Sequence, residues 1–210
     1  MRKAILIKSL LVIGAATTPI IGQAESNVQS GAGTLNATAH VDFQVTIPQI
    51  LYLRVGTGSS YTTGVLTSNP TIDEIQFAPA AGSVGNGTAV AGTGGDLTNG
   101  VETAAVIGNG GTITLVATSA GALSNGAGGS IPFTQITTAA KTNTTATVLQ
   151  APVLANGASN TVTLTPAAGS TIDQDAKWTF QYANSIVPPA GTYGGVNTNN
   201  SRVVYTASMP

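Results

Sequence analysis

Residues 34–47 alternate strictly between polar and apolar side chains and read Thr34-Leu35-Asn36-Ala37-Thr38-Ala39-His40-Val41-Asp42-Phe43-Gln44-Val45-Thr46-Ile47. A repeat of two residues is the period of a β-strand, in which successive side chains point to opposite faces. At ~3.3 Å per residue the segment would span roughly 46 Å, whereas strands in globular proteins usually have about 5–6 residues. We therefore predict a long strand that bends between two sheets or extends beyond its own domain. Pro48 ends it, because proline cannot donate to a strand ladder.

The rest of the chain, residues 48–210, predicts a domain of short strands separated by glycine and asparagine turns. Apolar side chains never keep a 3.6-residue period over three turns, so we expect little helix. Many short strands joined by such turns are typical of an all-β sandwich or barrel. The predicted strands are residues 50–55, 71–77, 101–107, 112–118, 131–137, 145–149, 161–165, 176–182 and 202–209.

Four of these strands define a turn and the core of the predicted domain. Residues 101–107 and 112–118 flank Gly108-Asn109-Gly110-Gly111, a sequence that favours a β-hairpin. Residues 176–182 and 202–209 each place their large apolar side chains on one face, which predicts a core that contains Trp178, Phe180, Tyr182, Val203 and Tyr205.

The first 24 residues are typical of a secretory signal peptide. Met1-Arg2-Lys3 precedes an apolar stretch, and Gly22-Gln23-Ala24 has the small-x-small pattern of a cleavage site. A membrane anchor is the alternative, but the uncharged run from Ser9 to Gln23 is shorter than the ~20 residues that a bilayer span needs. We expect a mature protein that begins at Glu25 with a flexible stretch over residues 25–33, is not inserted in a membrane, and is secreted or held at the cell surface.

The charge balance of the mature chain excludes several functions. It has four Lys and Arg residues against eight Asp and Glu residues, which gives a net charge of −4. So few cations cannot line a phosphate-binding groove, and we expect no nucleic-acid partner. The chain has no cysteine, which excludes thiol catalysis and cysteine metal sites.

Four sets of polar residues could suggest catalysis or metal binding, and none predicts a site. His40 and Asp42 share a face of the alternating residues, but no Gly-x-Ser-x-Gly turn supplies a nucleophile. Asp173-Gln174-Asp175 and Gly94-Gly95-Asp96 have too few ligands for calcium, and we expect these acids to be solvated in loops. Asp73-Glu74 is not a glycosidase pair, because adjacent strand residues point to opposite faces. We therefore expect no enzymatic activity, no cofactor and no metal.

Both ends of the chain resemble the cysteine-less pilins of chaperone–usher fimbriae. The resemblance rests on the alternating residues 35–47, on Pro189-Ala190-Gly191-Thr192-Tyr193-Gly194-Gly195, and on the alternating C-terminal residues 202–209. It departs from the family where Met209 replaces a common penultimate aromatic residue. The resemblance implies an incomplete immunoglobulin-like antiparallel β-sandwich that is completed by the N-terminal strand of a neighbouring subunit. It also implies a periplasmic chaperone and an outer-membrane usher as partners.

Two functions are compatible with these observations. The first is a structural subunit of an extracellular filament, a homopolymer formed by strand addition, in which the subunit interface is made by Leu35, Ala37, Ala39, Val41 and Phe43. The second is a secreted β-sandwich binding module, for which carbohydrate is the candidate ligand and Trp178, Phe180 and Tyr182 a candidate stacking platform. The pairing of residues 34–47, within the chain or with a neighbour, distinguishes the two.

Overall fold

The computed structural model describes residues 26–56 and 66–210. The predicted signal peptide, residues 1–24, lies outside this range. Within the described residues the protein is an all-β structure of antiparallel sheets, which confirms the predicted fold class. The described residues contain no helix with the length and apolar character needed to cross a bilayer.

Twelve strands and two short 3-10 turns make up the described secondary structure. The turns are Ala81–Ser83 and Phe133–Gln135. The strands are β1 (Leu51–Val55), β2 (Ile75–Gln76), β3 (Val90–Ala91), β4 (Thr93–Gly94), β5 (Val101–Gly108), β6 (Ile113–Ser119), β7 (Leu123–Ser124), β8 (Ser130–Ile131), β9 (Ile136–Lys141), β10 (Val162–Leu164), β11 (Ile172–Tyr182) and β12 (Val203–Ser208).

Two main sheets enclose the core. The larger has the order β1-β5-β11-β3, with β9 also paired to β11, and the smaller has the order β10-β6-β12. Two short pairs, β2-β4 and β7-β8, accompany them. The alternating strands place Val106 and Trp178 from the larger sheet and Ile113 and Leu115 from the smaller sheet in one fully buried cluster. The fold is therefore sandwich-like.

Side chains from loops also enter this core. Leu149 is fully buried, and its carbonyl oxygen accepts a 2.8 Å hydrogen bond from the indole Nε1 of Trp178. The rings of Trp178 and Tyr205 lie 5.4 Å apart, which links β11 in one sheet to β12 in the other. The predicted strand at residues 145–149 is wrong, because this stretch makes only an isolated parallel bridge from Val148 to Asp175.

The predicted hairpin between β5 and β6 is also wrong. These strands lie in different sheets, so Gly108–Gly111 connects the two layers of the sandwich. The Asn109 side chain accepts a hydrogen bond from the backbone N–H of Ile50 and donates one to the carbonyl of Pro48, each 2.8 Å long. The Gly108–Gly111 connection, which the sequence predicts to be a hairpin turn, therefore holds the chain just before β1 begins.

The chain divides into two units between Ile47 and Pro48. The second unit contains all twelve described strands. In the first unit, residues 26–47 are exposed and belong to no strand.

Candidate functional site

Residues 34–47, here called the alternating segment, keep their apolar side chains exposed. Leu35 is 48% exposed, Val41 71% and Phe43 90%, and Ala37 and Ala39 are exposed as well. Within the described chain, no strand ladder includes this segment. A strand that adds to the edge of another sheet would expose its apolar side chains in this way before it binds, at every second residue.

The polar side chains of the alternating segment are exposed too. His40 and Asp42, the one His/Asp pair that could suggest catalysis, lie on this exposed stretch of chain. The segment therefore has one polar and one apolar row of side chains, and water reaches both.

A second apolar feature lies in the sandwich, where β1 of the larger sheet is next to β12 of the smaller sheet. We call this feature the seam. It consists of the core-facing side chains of both strands, which are Leu51, Leu53 and Val55 on β1 and Val203, Tyr205 and Ala207 on β12.

Both strands of the seam are edge strands among the described residues, since β1 pairs only with β5 and β12 only with β6. Leu51 is 40% exposed, and the other apolar side chains of the seam are partly buried and pack against the core. In contrast, the neighbouring Trp178 and Leu115 are fully buried. The core is therefore incompletely covered along the seam, next to two strand edges that have no partner in the described part of the chain.

One end of the seam is closed by contacts between the chain before β1 and the C-terminus. Gln49 Nε2 donates a 2.8 Å hydrogen bond to the carbonyl of Pro210. Met209 lies over the β5–β6 connection, where its sulfur accepts a 3.2 Å hydrogen bond from the backbone N–H of Gly110. These contacts fix the Leu51 end of β1 relative to the end of β12.

The other end of the seam contains a buried carboxyl group, that of Glu102. Glu102 is directly paired with Trp178 across the β5–β11 ladder, so its side chain points into the core, and it is 5% exposed. Gly56, which follows β1, has a φ of +74°, and a Cβ atom there would lie 2.5 Å from Glu102 Oε2 and 2.6 Å from Asp73 Oδ2. Glycine is required at this position by the left-handed backbone and by the two carboxyl groups packed against it.

The backbone around Asp96 completes this cluster of acids. The Asp96 N–H donates a 3.2 Å hydrogen bond to Glu102 Oε2. The Asp96 carboxylate accepts hydrogen bonds from the N–H (2.8 Å) and the hydroxyl of Thr103, and it lies 3.3 Å from Arg54 Nη2. The Arg54 guanidinium is thus bonded to Asp96, while Glu102 receives a backbone N–H.

These surroundings change the acidity of Glu102. Burial raises the pKa of its carboxyl group to about 8; the Asp96 N–H acts in the opposite direction, and the charges of Asp73 and Asp96 add to the rise. Burial and the charge of Glu102 also raise the pKa of Tyr205, whose ring lies 5.4 Å from that of Trp178, the residue paired with Glu102. Glu102 is therefore neutral over most of the physiological pH range.

A different acid, Asp175, is held as a carboxylate. Its side chain is fully buried on the face of β11 opposite Trp178 and accepts hydrogen bonds from Asn143 Nδ2, from the N–H and hydroxyl of Thr144, and from the N–H and hydroxyl of Thr145. Burial alone would raise its pKa, but these hydrogen bonds outweigh burial and lower the pKa to about 2. The expectation of a solvated loop acid is wrong for Asp175, because it lies within β11 and the 143–145 loop covers it.

The structure buries the predicted aromatic row. Trp178 is 0% exposed, Phe180 6% and Tyr182 5%, so these rings cannot stack on a sugar in this structure. Val203 and Tyr205 pack against the core but stay partly exposed. The apolar face of β11 therefore belongs to the interior, and that of β12 belongs to the seam.

Sequence reasoning did not find the seam or the acid cluster. Their residues come from distant parts of the chain, and only the alternation within β12 signals one side of the seam. No group of three or more His, Cys, Asp or Glu residues within 26–56 and 66–210 has a geometry that could hold a metal ion.

Searches of family models, curated protein sequences and solved structures return no match for this chain. Inference about function therefore depends on the alternating segment and the seam.

Proposed function

We propose that this protein is a structural subunit of an extracellular filament and that the alternating segment of one copy adds as a strand to the seam of the next. The observation that carries this proposal is the exposed apolar row of the alternating segment, which no strand of the described chain covers. A secreted or cell-surface location and export by a cleaved signal peptide are part of the proposal.

The alternating segment has the chemistry of a strand that is added to a sheet. Its backbone would form ladder hydrogen bonds, and Leu35, Ala37, Ala39, Val41 and Phe43 would face the core of the neighbour. At ~25 cal/mol per Å², burying these side chains contributes on the order of 10 kcal/mol before ordering costs are subtracted. The polar residues between them would face solvent.

The seam has the complementary chemistry. It offers half-buried apolar side chains on two strands whose outer edges have no partner among the described residues. An added strand would cover Tyr205 and Ala207 and would give the edge of β12 a second partner. A unit that carries both an adding strand and an accepting edge forms a head-to-tail contact, which repeats into a filament when it does not close into a ring.

The occupant we propose is a second copy of this chain. The alternating segment has the strand period of the seam, and its fourteen residues exceed the six residues of β12. The low charge of the mature chain also limits repulsion between packed copies. The resemblance to chaperone–usher pilins supports the same arrangement and extends it to a periplasmic chaperone and an outer-membrane usher.

Substitutions in the alternating segment test the proposal. Replacing Ala37 and Ala39 with Asp puts two charges where apolar side chains enter the neighbour, so the purified mature protein should stay monomeric. Replacing Asn36 and Thr38 with Asp is the matched control, because these residues face solvent in the proposed complex. Size-exclusion chromatography and electron microscopy measure the outcome, together with circular dichroism to show that each variant is folded.

Deletion of residues 25–41 separates the two functions considered for this chain. In the filament proposal the deleted protein remains a folded monomer. If the deletion unfolds the protein and the intact mature protein stays monomeric at high concentration, the alternating segment pairs within its own chain and the binding-module function is favoured instead.

A further inference from the structure

One end of the seam is closed by the contacts of Gln49 and Met209. The other, open end contains Glu102, a buried acid next to the proposed interface. Glu102 points into the core beside Trp178, and Gly56, which follows β1, lies against its carboxyl group. On the other side of the seam, the ring of Tyr205 lies 5.4 Å from that of Trp178, the residue that is paired with Glu102. A strand added at the seam would cover Tyr205 and Val55, so it would also shield Glu102 from water.

The groups that face Glu102 do not neutralise it. Asp73 and Asp96 are both acids, and the guanidinium of Arg54 is bonded to Asp96. Tyr205 approaches from β12 and Trp178 from β11, and neither carries positive charge. An ionised Glu102 is favoured by the 3.2 Å hydrogen bond from the Asp96 N–H, but burial and the neighbouring acids outweigh that bond.

We propose that Glu102 makes strand addition at the seam dependent on pH, because a neutral Glu102 admits the added strand and an ionised Glu102 opposes it. This inference rests on the proposed function. The group that would regulate assembly belongs to the subunit that accepts the strand and not to the added strand itself.

The direction of the effect follows from proton linkage. Burial raises the pKa of Glu102 to about 8 in the subunit with an open seam, and further loss of water on strand addition raises it again. Below this pKa the acid is neutral in both states and affinity does not depend on pH. Above it, addition requires uptake of a proton, so the association constant falls by about tenfold for each pH unit.

The test measures filament formation by the mature protein, residues 25–210, at pH values from about 6 to about 9.5, a range that brackets the titration of Glu102. Light scattering and sedimentation give the fraction assembled for the wild type and for Glu102→Gln, which removes the titration. Glu74→Gln is the matched control, because Glu74 is an exposed acid. Asp73→Asn is a second variant that keeps Glu102 and removes a neighbouring charge that raises its pKa.

We expect wild-type and Glu74→Gln assembly to be constant below pH about 8 and to fall above it. Glu102→Gln assembly should be constant throughout, and the midpoint for Asp73→Asn should move to a lower pH, because Glu102 ionises more readily without the neighbouring charge. If wild-type assembly does not change with pH while Ala37→Asp/Ala39→Asp still abolishes it, the role of Glu102 is wrong and the proposed function stands. If the wild type never assembles, or Ala37→Asp/Ala39→Asp assembles normally, the proposed function fails and this inference fails with it.

Discussion

Glu102 on β5 and Trp178 on β11 are directly paired across an antiparallel ladder, so a carboxyl group and the largest apolar side chain of the core point to the same side of the sheet. Trp178 is fully buried and Glu102 is 5% exposed. An acid in this position is tolerated when it is neutral, because only its charged form has a large desolvation cost.

The stability of the monomer should therefore fall as the pH rises. Glu102 has an ordinary pKa of 4.5 and a pKa of about 8 in the folded protein, so between these values the folded state retains a proton that the unfolded state has lost. The free energy of unfolding should decrease from pH 4.5 to about pH 8 and then level off. Urea unfolding of the monomeric Ala37→Asp/Ala39→Asp protein measures this slope. Adding Glu102→Gln should remove it, and an unchanged slope would show that another group is responsible.

Asp175 should have the opposite pH dependence. Its pKa is lowered from 3.8 to about 2 in the folded protein, so its contribution to stability is present above pH 3.8 and is lost as the pH falls toward 2. Asp175→Asn leaves the Thr144 and Thr145 donors without a charged acceptor, and we expect it to lower the free energy of unfolding at neutral pH by about 2 kcal/mol. Asp173→Asn, an exposed position on the same strand, should change stability much less. Equal effects of the two substitutions would contradict the role assigned to Asp175.

Trp178 should make a large contribution to the free energy of unfolding. It is the only tryptophan of the chain, so its fluorescence reports one site, and we expect the blue-shifted emission of a buried indole. Trp178→Ala should cost about 3–5 kcal/mol in the free energy of unfolding. Val204→Ala on the exposed face of β12 is the control, since Val204 is 54% exposed. Emission like that of a solvated indole in the folded protein would contradict the burial of Trp178.

The fold could be predicted where local periodicity decides it and not where distant segments meet. The period of two in residues 176–182 is a property of the strand itself, and it places Trp178, Phe180 and Tyr182 on one face. The same period places Asp175 on the outer face, but it does not reveal that the 143–145 loop covers that face. The glycines around Asn109 favour any tight reversal, and nothing local distinguishes a hairpin from a connection between two sheets.

The candidate site likewise has one part that could be predicted from the sequence and one part that could not. The alternating segment is continuous in sequence, so its apolar row could be read directly from residues 35–43. The seam places β1 next to β12, and at its end Gly56 lies against the carboxyl groups of Asp73 and Glu102. These contacts depend on the order of strands in the two sheets, which a single sequence does not specify.

A head-to-tail interface predicts that two different assembly-defective variants complement each other. Ala37→Asp/Ala39→Asp disables the alternating segment and leaves the seam intact. Ala207→Asp puts a charge on the core-facing side of β12 and leaves the alternating segment intact, so each protein alone should be monomeric. Mixed together, the intact segment of the second protein should add to the intact seam of the first. Growth should then stop at a 1:1 complex, because neither remaining end can continue it.

Multi-angle light scattering of the mixture measures this outcome. Thr206→Asp is the control for the second partner, because Thr206 is exposed on the opposite face of β12; this variant should still form filaments by itself. Near-ultraviolet circular dichroism shows whether Ala207→Asp is folded, and Val203→Asp replaces it if it is not. A folded pair that stays monomeric in the mixture would mean that the alternating segment and the seam do not bind each other. Strand addition between copies at this seam would then be wrong, even if the intact protein forms filaments by another contact.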